Sequence, residues 1–325
     1  MGSYPENITI EVTTVCNQRC EFCFYAQKKL KNLFLPKSRI IDALNEAKKL
    51  KVESIRFTGG EPLLRKDIVD ILSQTKDLGF YVFLNTNATL INDDLIRKIE
   101  NNVDNVLISL PAASKLIAKK IGNSNISLKL KNIRKLVRSR IPHIRVGTII
   151  SRYLLKNFNQ YFNLINYLGI KRWEFYRPMI EKKILKKLPE YNISRQDILK
   201  VMNFCLWLRK KGIAAYIPNA VPFCITDDKK LAIYSLKGGQ FDDGRERLVL
   251  DVRGYFKPSY YIDINLGETI TSAINHPFIK KVHSESWLSE VCQKCPFVNK
   301  CGGGSRFWAY QKYGDYFAKD PLMKQ

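Results

Sequence analysis

The chain of 325 residues has room for one large domain and a smaller one, and its 45% apolar and 11% aromatic content is that of a globular protein. No apolar run approaches the ~20 residues of a membrane-spanning helix, and Met1 to Glu11 lacks the basic-then-apolar pattern of a secretory signal. A cytoplasmic protein with no membrane partner is therefore expected. The net charge of +24 would suit an acidic partner, nucleic acid included, but the lysines are scattered (Lys48, Lys119, Lys129, Lys182, Lys210) and read as solvated helix faces. Nucleic acid is not the expected partner.

From the N-terminus to about Pro189, β-branched runs alternate with amphipathic stretches. The predicted order is strand Ile8–Val12, helix Arg39–Leu50, strand Ser54–Phe57, helix Lys66–Leu78, strand Tyr81–Leu84, helix Asp93–Ile99 and strand Val106–Leu110. It continues with helix Leu128–Val137, strand Ile144–Ile150, a helix near Phe158–Leu168 and strand Arg172–Tyr176. Six strand–helix units imply an α/β fold, a parallel sheet with outer helices whose chemistry lies at the strands' C-terminal ends. Arg195–Lys211 reads as one bridging helix, and beyond Gly212 short strands, glycines and cysteines take over. The expected division is residues 1–189, a bridging region 190–215 and a small α+β domain 216–325.

Eight cysteines are too sparse for a disulfide framework, and six fall into two groups, Cys16/Cys20/Cys23 and Cys292/Cys295/Cys301. In a reducing cytosol such groups read as metal or cluster ligands. Three thiolates in the loop after the first strand can hold three irons of a [4Fe–4S] cube and leave the fourth without a protein ligand. Structural zinc would be closed by four Cys or His ligands, and the nearest histidine in sequence is His143. Phe57-Thr58-Gly59-Gly60-Glu61-Pro62 ends the second strand, where paired glycines expose backbone groups to a ligand and Pro62 fixes the turn.

Cys16-x3-Cys20-x2-Cys23, with Phe22 before the last cysteine and Gly59-Gly60-Glu61-Pro62 downstream, resembles the radical S-adenosylmethionine (SAM) superfamily over roughly Pro5 to Pro189. The resemblance implies a partial (β/α)6 barrel. It also implies a [4Fe–4S] cluster, fed by a reductant such as flavodoxin or ferredoxin, that cleaves SAM to methionine and a 5′-deoxyadenosyl radical. Gly59, Gly60, Glu61 and Pro62 would then meet the methionine amino group, and Phe22, Asn85, Asn87, Ser109 and Arg177 would contact SAM. The last four could equally be strand-end caps or surface residues.

Cys292-x2-Cys295-x5-Cys301-Gly302-Gly303-Gly304 resembles the C-terminal extension called SPASM, or its shorter twitch form, which carries auxiliary [4Fe–4S] clusters in enzymes that modify ribosomally made peptides. Zinc-knuckle and redox-thiol readings compete with it. Ser305, Ser259 and Met323 stand where that pattern has cysteines, so one auxiliary cluster is expected rather than two. Its fourth ligand is open between Cys224, an oxygen of Asp315 or Asp320, and an unclaimed iron. Cys205, in an apolar helix segment, reads as core.

Cys224, in the turn-rich segment after Pro222, is either that fourth ligand or a free thiol in the active site. A free thiol could return a hydrogen atom to a peptide Cα radical and invert the residue. On that reading the chain resembles the peptide epimerase of epipeptides, and the absence of a leader-binding domain before Cys16 agrees. The expected function is thus epimerisation of a ribosomally synthesised precursor peptide, with Cys224 catalytic. Thioether or carbon–carbon cross-linking, a small-molecule or cofactor maturase, and a non-catalytic electron-transfer protein are the rivals.

Overall fold

The computed structural model of the chain describes residues 4–27, 32–239 and 242–324. Nine strands form one sheet in the order β7-β6-β5-β4-β3-β2-β1-β8-β9. Strands β1 (Asn7–Glu11), β2 (Ser54–Thr58), β3 (Tyr81–Thr86), β4 (Asn105–Ser109), β5 (His143–Ile149) and β6 (Arg172–Tyr176) are neighbours in space as in sequence, all parallel. They are the six strands that periodicity predicts, with ends moved by one or two residues. The helices between them are α1 (Lys37–Lys49), α2 (Ile68–Asp77), α3 (Asp93–Ile99), α4 (Ile126–Val137) and α5 (Phe158–Tyr167).

Each crossover helix buries one stripe. In α1 the buried residues are Ile40, Ala43, Leu44 and Ala47, spaced as a single helix face requires. In α2 the stripe is Ile68, Ile71, Leu72 and Thr75. Asn92 caps α3 by accepting from the Leu95 amide at 2.8 Å, and Asp93 and Asp94 occupy the first turn, where the helix dipole favours acids. On the sheet, Ile55 and Phe57 of β2 are fully buried in the core these helices share. Arg56 and Thr58, one residue out of phase, line a cavity on the opposite face.

After α6 (Arg195–Lys210), whose Ser194–Asp197 capping box closes its first turn, the chain returns to the same sheet. Strand β7 (Ala214–Tyr216) pairs parallel with β6. Strand β8 (Arg247–Leu250) pairs parallel with β1, and β9 (Phe256–Lys257) lies antiparallel to β8. The end of the expected bridging region thus extends the six-stranded core at one edge, and a segment expected in the small domain extends it at the other. A buried cation ties the latter in: Lys257 Nζ donates to Glu11 Oε2 at 2.7 Å and to Asp251 Oδ2 at 2.8 Å. Burial pushes the Glu11 carboxyl up and Lys257 opposes it, so the pair is held by mutual charge. The C-terminal part ends in α7 (Arg306–Tyr313). No helix among the described residues is long and apolar enough to cross a membrane.

Candidate active site: two cysteine groups around one chamber

Cys16, Cys20 and Cys23 follow β1 and line one cavity of about 280 Å³ at the C-terminal ends of the strands. Two backbone seams hold their loop. Gly60 N donates to Thr13 O at 2.7 Å and Glu61 N to Val15 O at 2.8 Å. A Cβ on Gly60 would fall 2.1 Å from Val15 O, and one on Gly59, whose φ is +138°, 2.3 Å from Thr13 O. The glycine pair is therefore required by close approach to the cysteine loop, and the Gly60 and Glu61 amides serve that seam. On the other side Arg19 N donates to Gly122 O at 3.1 Å, and a Cβ on Gly122 would meet Arg19 O at 2.1 Å.

The thiols accept N–H bonds, as cluster sulfurs do. Asn123 Nδ2 lies 3.2 Å from Cys20 Sγ and Gln18 N 3.4 Å from Cys16 Sγ. Lys129, expected as a solvated surface lysine, is instead fully buried beneath this loop. It donates to Asn123 Oδ1 at 2.8 Å and Ser109 O at 3.1 Å. Burial pulls its pKa down to about 8, while Cys20, Glu61 and Cys16 pull it back up. Burial likewise pushes the Cys16 thiol up to about 11. Among the described residues no three His, Cys, Asp or Glu side chains close on a single metal ion. Three thiols around one cavity, fed by N–H donors and a buried cation, fit an anionic cluster.

The predicted SAM contacts divide. Phe22, Gly59, Gly60, Asn85, Asn87, Ser109 and Arg177 line the cavity, whereas Glu61 and Pro62 do not. The Glu61 carboxylate faces inward, accepting from Asn87 N at 2.7 Å, Thr86 Oγ1 at 2.8 Å and Leu63 N at 3.2 Å. It orients strand ends, and Pro62 begins the short 3-10 turn Pro62–Leu64. Asn87 Nδ2 donates to Asn17 Oδ1 at 2.8 Å. Arg177 forms a bidentate pair with Asp320, at 2.7 and 3.1 Å.

A larger chamber of about 950 Å³ adjoins this cavity, sharing Thr58, Asn85, Leu107 and Tyr176 with it. Inward positions of several strands furnish it: Arg56, Arg145, Glu174 and Arg247. Glu174 accepts from Arg145, Tyr176 and Tyr216, the last at 2.8 Å. A side chain at Gly147 would crowd Tyr176 at 3.0 Å and Leu107 at 3.3 Å, so glycine keeps the passage open. These residues were missed by motif reading. Their signal was the in-phase polar residues of β2, β5 and β6.

The second group gathers four cysteines. Cys292 and Cys295 act on the Cys224 thiol, and Cys224 acts on Cys301; burial pushes both Cys224 and Cys301 up, and the neighbouring thiols add to it. The amides of Phe223, Gly303 and Gly304 point to Cys301 sulfur. Gly302, Gly303 and Gly304 have φ of +55°, +70° and +74°, a left-handed run that only glycine sustains; the Gly302 amide closes the preceding turn on Val298 O, and those of Gly303 and Gly304 turn toward Cys301. Cys224 lines neither the cavity of the first cysteine group nor the chamber, although its neighbour Phe223 lines the chamber. The oxygen alternatives are engaged elsewhere. Asp320 serves Arg177, Ser305 N at 2.7 Å and Leu322 N at 2.8 Å, and Asp315 accepts from Phe317 N at 2.9 Å. Ser259 accepts from the Tyr261 and Ile262 amides. Cys205 is fully buried in α6, as expected.

A parallel half-barrel that presents three thiols beside a glycine turn defines an enzyme built to hold an iron–sulfur cluster and a small cosubstrate. Residues 10–160, just under half of the chain, match the radical SAM superfamily. Its cofactors are accordingly a [4Fe–4S] cluster and SAM, and the cysteine group of the C-terminal part fits one auxiliary [4Fe–4S] cluster. Relatives from Saccharolobus islandicus named probable GTP 3′,8-cyclase are 29% identical over 171 residues, 52% of this chain, and the chain spans only 56% of their length. The Methanococcus aeolicus relative of the same name is 21% identical over 281 residues, 85% of this chain and 92% of its own. SuiB of Streptococcus suis bound to S-adenosylmethionine superposes with a TM-score of 0.75 at 16% identity, over 99% of this chain and 78% of SuiB. The structure anSMEcpe with bound AdoMet gives 0.73 at 18% identity, over 97% of this chain and 90% of its own.

Proposed function

We propose that this radical SAM enzyme oxidatively modifies a peptide, forming a cross-link to a substrate residue held in the chamber. One observation carries the reading. The chamber is walled on one side by Phe24, next to Cys23, and on the other by Phe223 and Pro296, next to Cys224 and Cys295. When bound, the first cluster and SAM supply a hydrogen-abstracting 5′-deoxyadenosyl radical, and an auxiliary cluster supplies an acceptor for one electron. Cys16, Cys20 and Cys23 would hold the first; Cys224, Cys292, Cys295 and Cys301 would hold the second. Abstraction would move one hydrogen atom from the substrate to the deoxyadenosyl radical, giving deoxyadenosine. Bond formation then releases one proton and one electron, so the product is two hydrogens lighter. Tyr176, Leu107 and Phe24 keep water from the reacting carbon.

Epimerisation requires a thiol facing the chamber, and the position of Cys224 among the other three cysteines supports ligation instead. The peptide reading is supported by the cysteine spacing of the C-terminal part and by likeness in fold to SuiB, also solved bound to precursor peptide SuiA. A second reading, small-molecule cyclisation, is favoured by the names of the curated relatives and by the cationic lining of the chamber.

Anaerobically reconstituted, reduced protein incubated in deuterated water with candidate precursor peptides, or with GTP, distinguishes the three. A peptide lighter by two hydrogens supports cross-linking. One deuterium gained at Cα supports epimerisation, and consumption of GTP supports the second reading. In parallel, Cys224→Ala is expected to lower iron from about eight to about four per chain. Full retention of iron would remove Cys224 from the ligand set.

A further inference from the structure

The floor of the chamber carries charge that SAM cleavage does not call for. Arg56, Arg145 and Arg247 reach into it, with Lys237 and Lys300 also lining it, against two carboxylates, Glu174 and Asp242. Arg145 pairs with Glu174, and Arg247 with Asp242 at 3.5 Å. Arg56 has no carboxylate partner among the described residues: its Nη1 donates to the neutral Asn85 Oδ1 at 3.1 Å. Its Nε and the Nη2 of Arg145 are both buried and without a hydrogen-bond partner among the described residues. Both guanidiniums lie against the ring of Phe83, at 4.2 and 5.6 Å from its centre, so the two open donors belong to one patch. Burial, with repulsion from Arg145, pulls the Arg56 pKa down to about 10, as befits a cation lacking a counter-ion. Arg56 is half-buried, but a guanidinium with no counter-ion and an Nε sealed from water destabilises the empty protein, and that cost falls when an anion docks on it.

We propose that Arg56 and Arg145 form a carboxylate-binding subsite, so that the residue presented to SAM is an Asp or Glu, or adjoins the substrate's C-terminus. The inference rests on the chamber being the substrate site of the reaction proposed above. Of the three arginines only Arg56 is unmatched, and that one charge fits a single carboxylate; Lys237 and Lys300 are exposed at the chamber's edge. The register agrees. Arg56 and Arg145 stand two residues before Thr58 and Gly147 on the same strand faces, and both of those line the SAM cavity. Two strand residues span about 7 Å, so a carboxylate on the floor leaves its carbon chain pointing to the reacting position.

The test uses full-length, cluster-loaded, SAM-bound protein titrated with glutarate, its neutral analogue glutaramide, and inorganic pyrophosphate. Glutarate is expected to bind at least tenfold more tightly than glutaramide. Arg56→Gln is expected to abolish that preference, while Arg56→Lys retains part of it. Arg56→Gln should also raise the melting temperature of the ligand-free protein, because it removes an unmatched, half-buried charge; a purely structural arginine would do the opposite. Equal binding of glutarate and glutaramide, or a preference that survives Arg56→Gln, overturns the subsite. Tighter binding of pyrophosphate than glutarate overturns the carboxylate assignment in favour of phosphate. A cross-linked peptide with no role for Arg56 would sink the subsite alone, and an Arg56-dependent glutarate site with no peptide product would sink the proposed function alone.

Discussion

Gly60→Ala isolates the claim that the glycine pair exists to let the turn after β2 press against the cysteine loop. The added Cβ would stand 2.1 Å from Val15 O, 2.5 Å from Val15 C and 2.8 Å from Thr14 O. All three are backbone atoms, so no side chain can swing away. Relief requires the loop to retreat by more than 1 Å, roughly the gap to ordinary contact, and that breaks the Gly60–Thr13 and Glu61–Val15 bonds of 2.7 and 2.8 Å. Two hydrogen bonds at about 1 kcal/mol each, with about 1–3 kcal/mol of overpacking, give a loss of roughly 3–5 kcal/mol. Urea unfolding of the metal-free chain measures it, and iron analysis after reconstitution should show the first cluster preferentially lost. Gly254→Ala is the control. Gly254 has φ of +96° with nothing within 4 Å of its Cβ, so only backbone strain of about 1 kcal/mol applies. If Gly60→Ala cost no more than Gly254→Ala and bound iron normally, the close-approach argument would fail.

Lys129 gives a pH signature. Its folded pKa of about 8 lies below its ordinary 10.5, so between those values the unfolded chain binds more protons and stability rises with pH. In the metal-free chain the stability of wild type relative to Lys129→Met should therefore shift by about 2 kcal/mol in favour of wild type between pH 7.5 and 9.5, read by paired urea melts; a flat difference would contradict burial of the charge. Lys257→Met strands Glu11 as a buried carboxylate, while Asp251 keeps its pair with Arg253, and should cost about 3–5 kcal/mol at neutral pH. That loss should shrink in acid, where the freed Glu11 carboxyl can protonate. Cys205→Ala should leave the iron content unchanged, and Cys205 should resist alkylation until the chain unfolds, because burial raises its thiol pKa; early labelling by mass spectrometry would contradict its core position.

The barrel was legible because its signals are local. Apolar stripes at helical spacing and short β-branched runs are properties of ten or so neighbouring residues, and α3 and β6 fall on the predicted residues. The first cysteine loop was legible for the same reason. What escaped was long-range. Nothing near Lys129 tells that its ammonium will lie under Asn123 and Ser109, and a lysine in an amphipathic helix reads as solvent-facing. Nothing in Arg247–Leu250 tells that it will pair with β1 across more than 200 residues. Glu61 lay in a recognised motif yet points away from the cavity, because the carbonyl and amide groups of that turn are local while the destination of its carboxylate, Thr86 and Asn87, is on another strand. The Arg56, Gly147 and Glu174 face was readable in principle. Alternation in Ser54-Ile55-Arg56-Phe57-Thr58 sets the charged residue opposite two apolar ones, and in a parallel sheet buried on both faces a charge on the inner face needs a reason.

The same long-range contacts explain how two cysteine groups, separated by some 270 residues of sequence, come to lie next to residues that wall one chamber. Arg177 follows β6 and lines the cavity of the first cysteine group, yet its guanidinium is bound by Asp320, which also holds the amide of Ser305 directly after the three left-handed glycines. Trp308 of α7 donates to Pro178 O at 3.0 Å beside it. A buried ion pair of this kind contributes little net stability over apolar packing, but it admits few geometries. Its effect is to fix register: the glycine turn that aims amides at Cys301 cannot shift without displacing Arg177 from the wall of that cavity. The reaction proposed above, which would pass a hydrogen atom to one side and an electron to the other, would depend on both separations at once. A single buried pair linking the two walls constrains them together, which two independently folded modules joined by a flexible linker would not do.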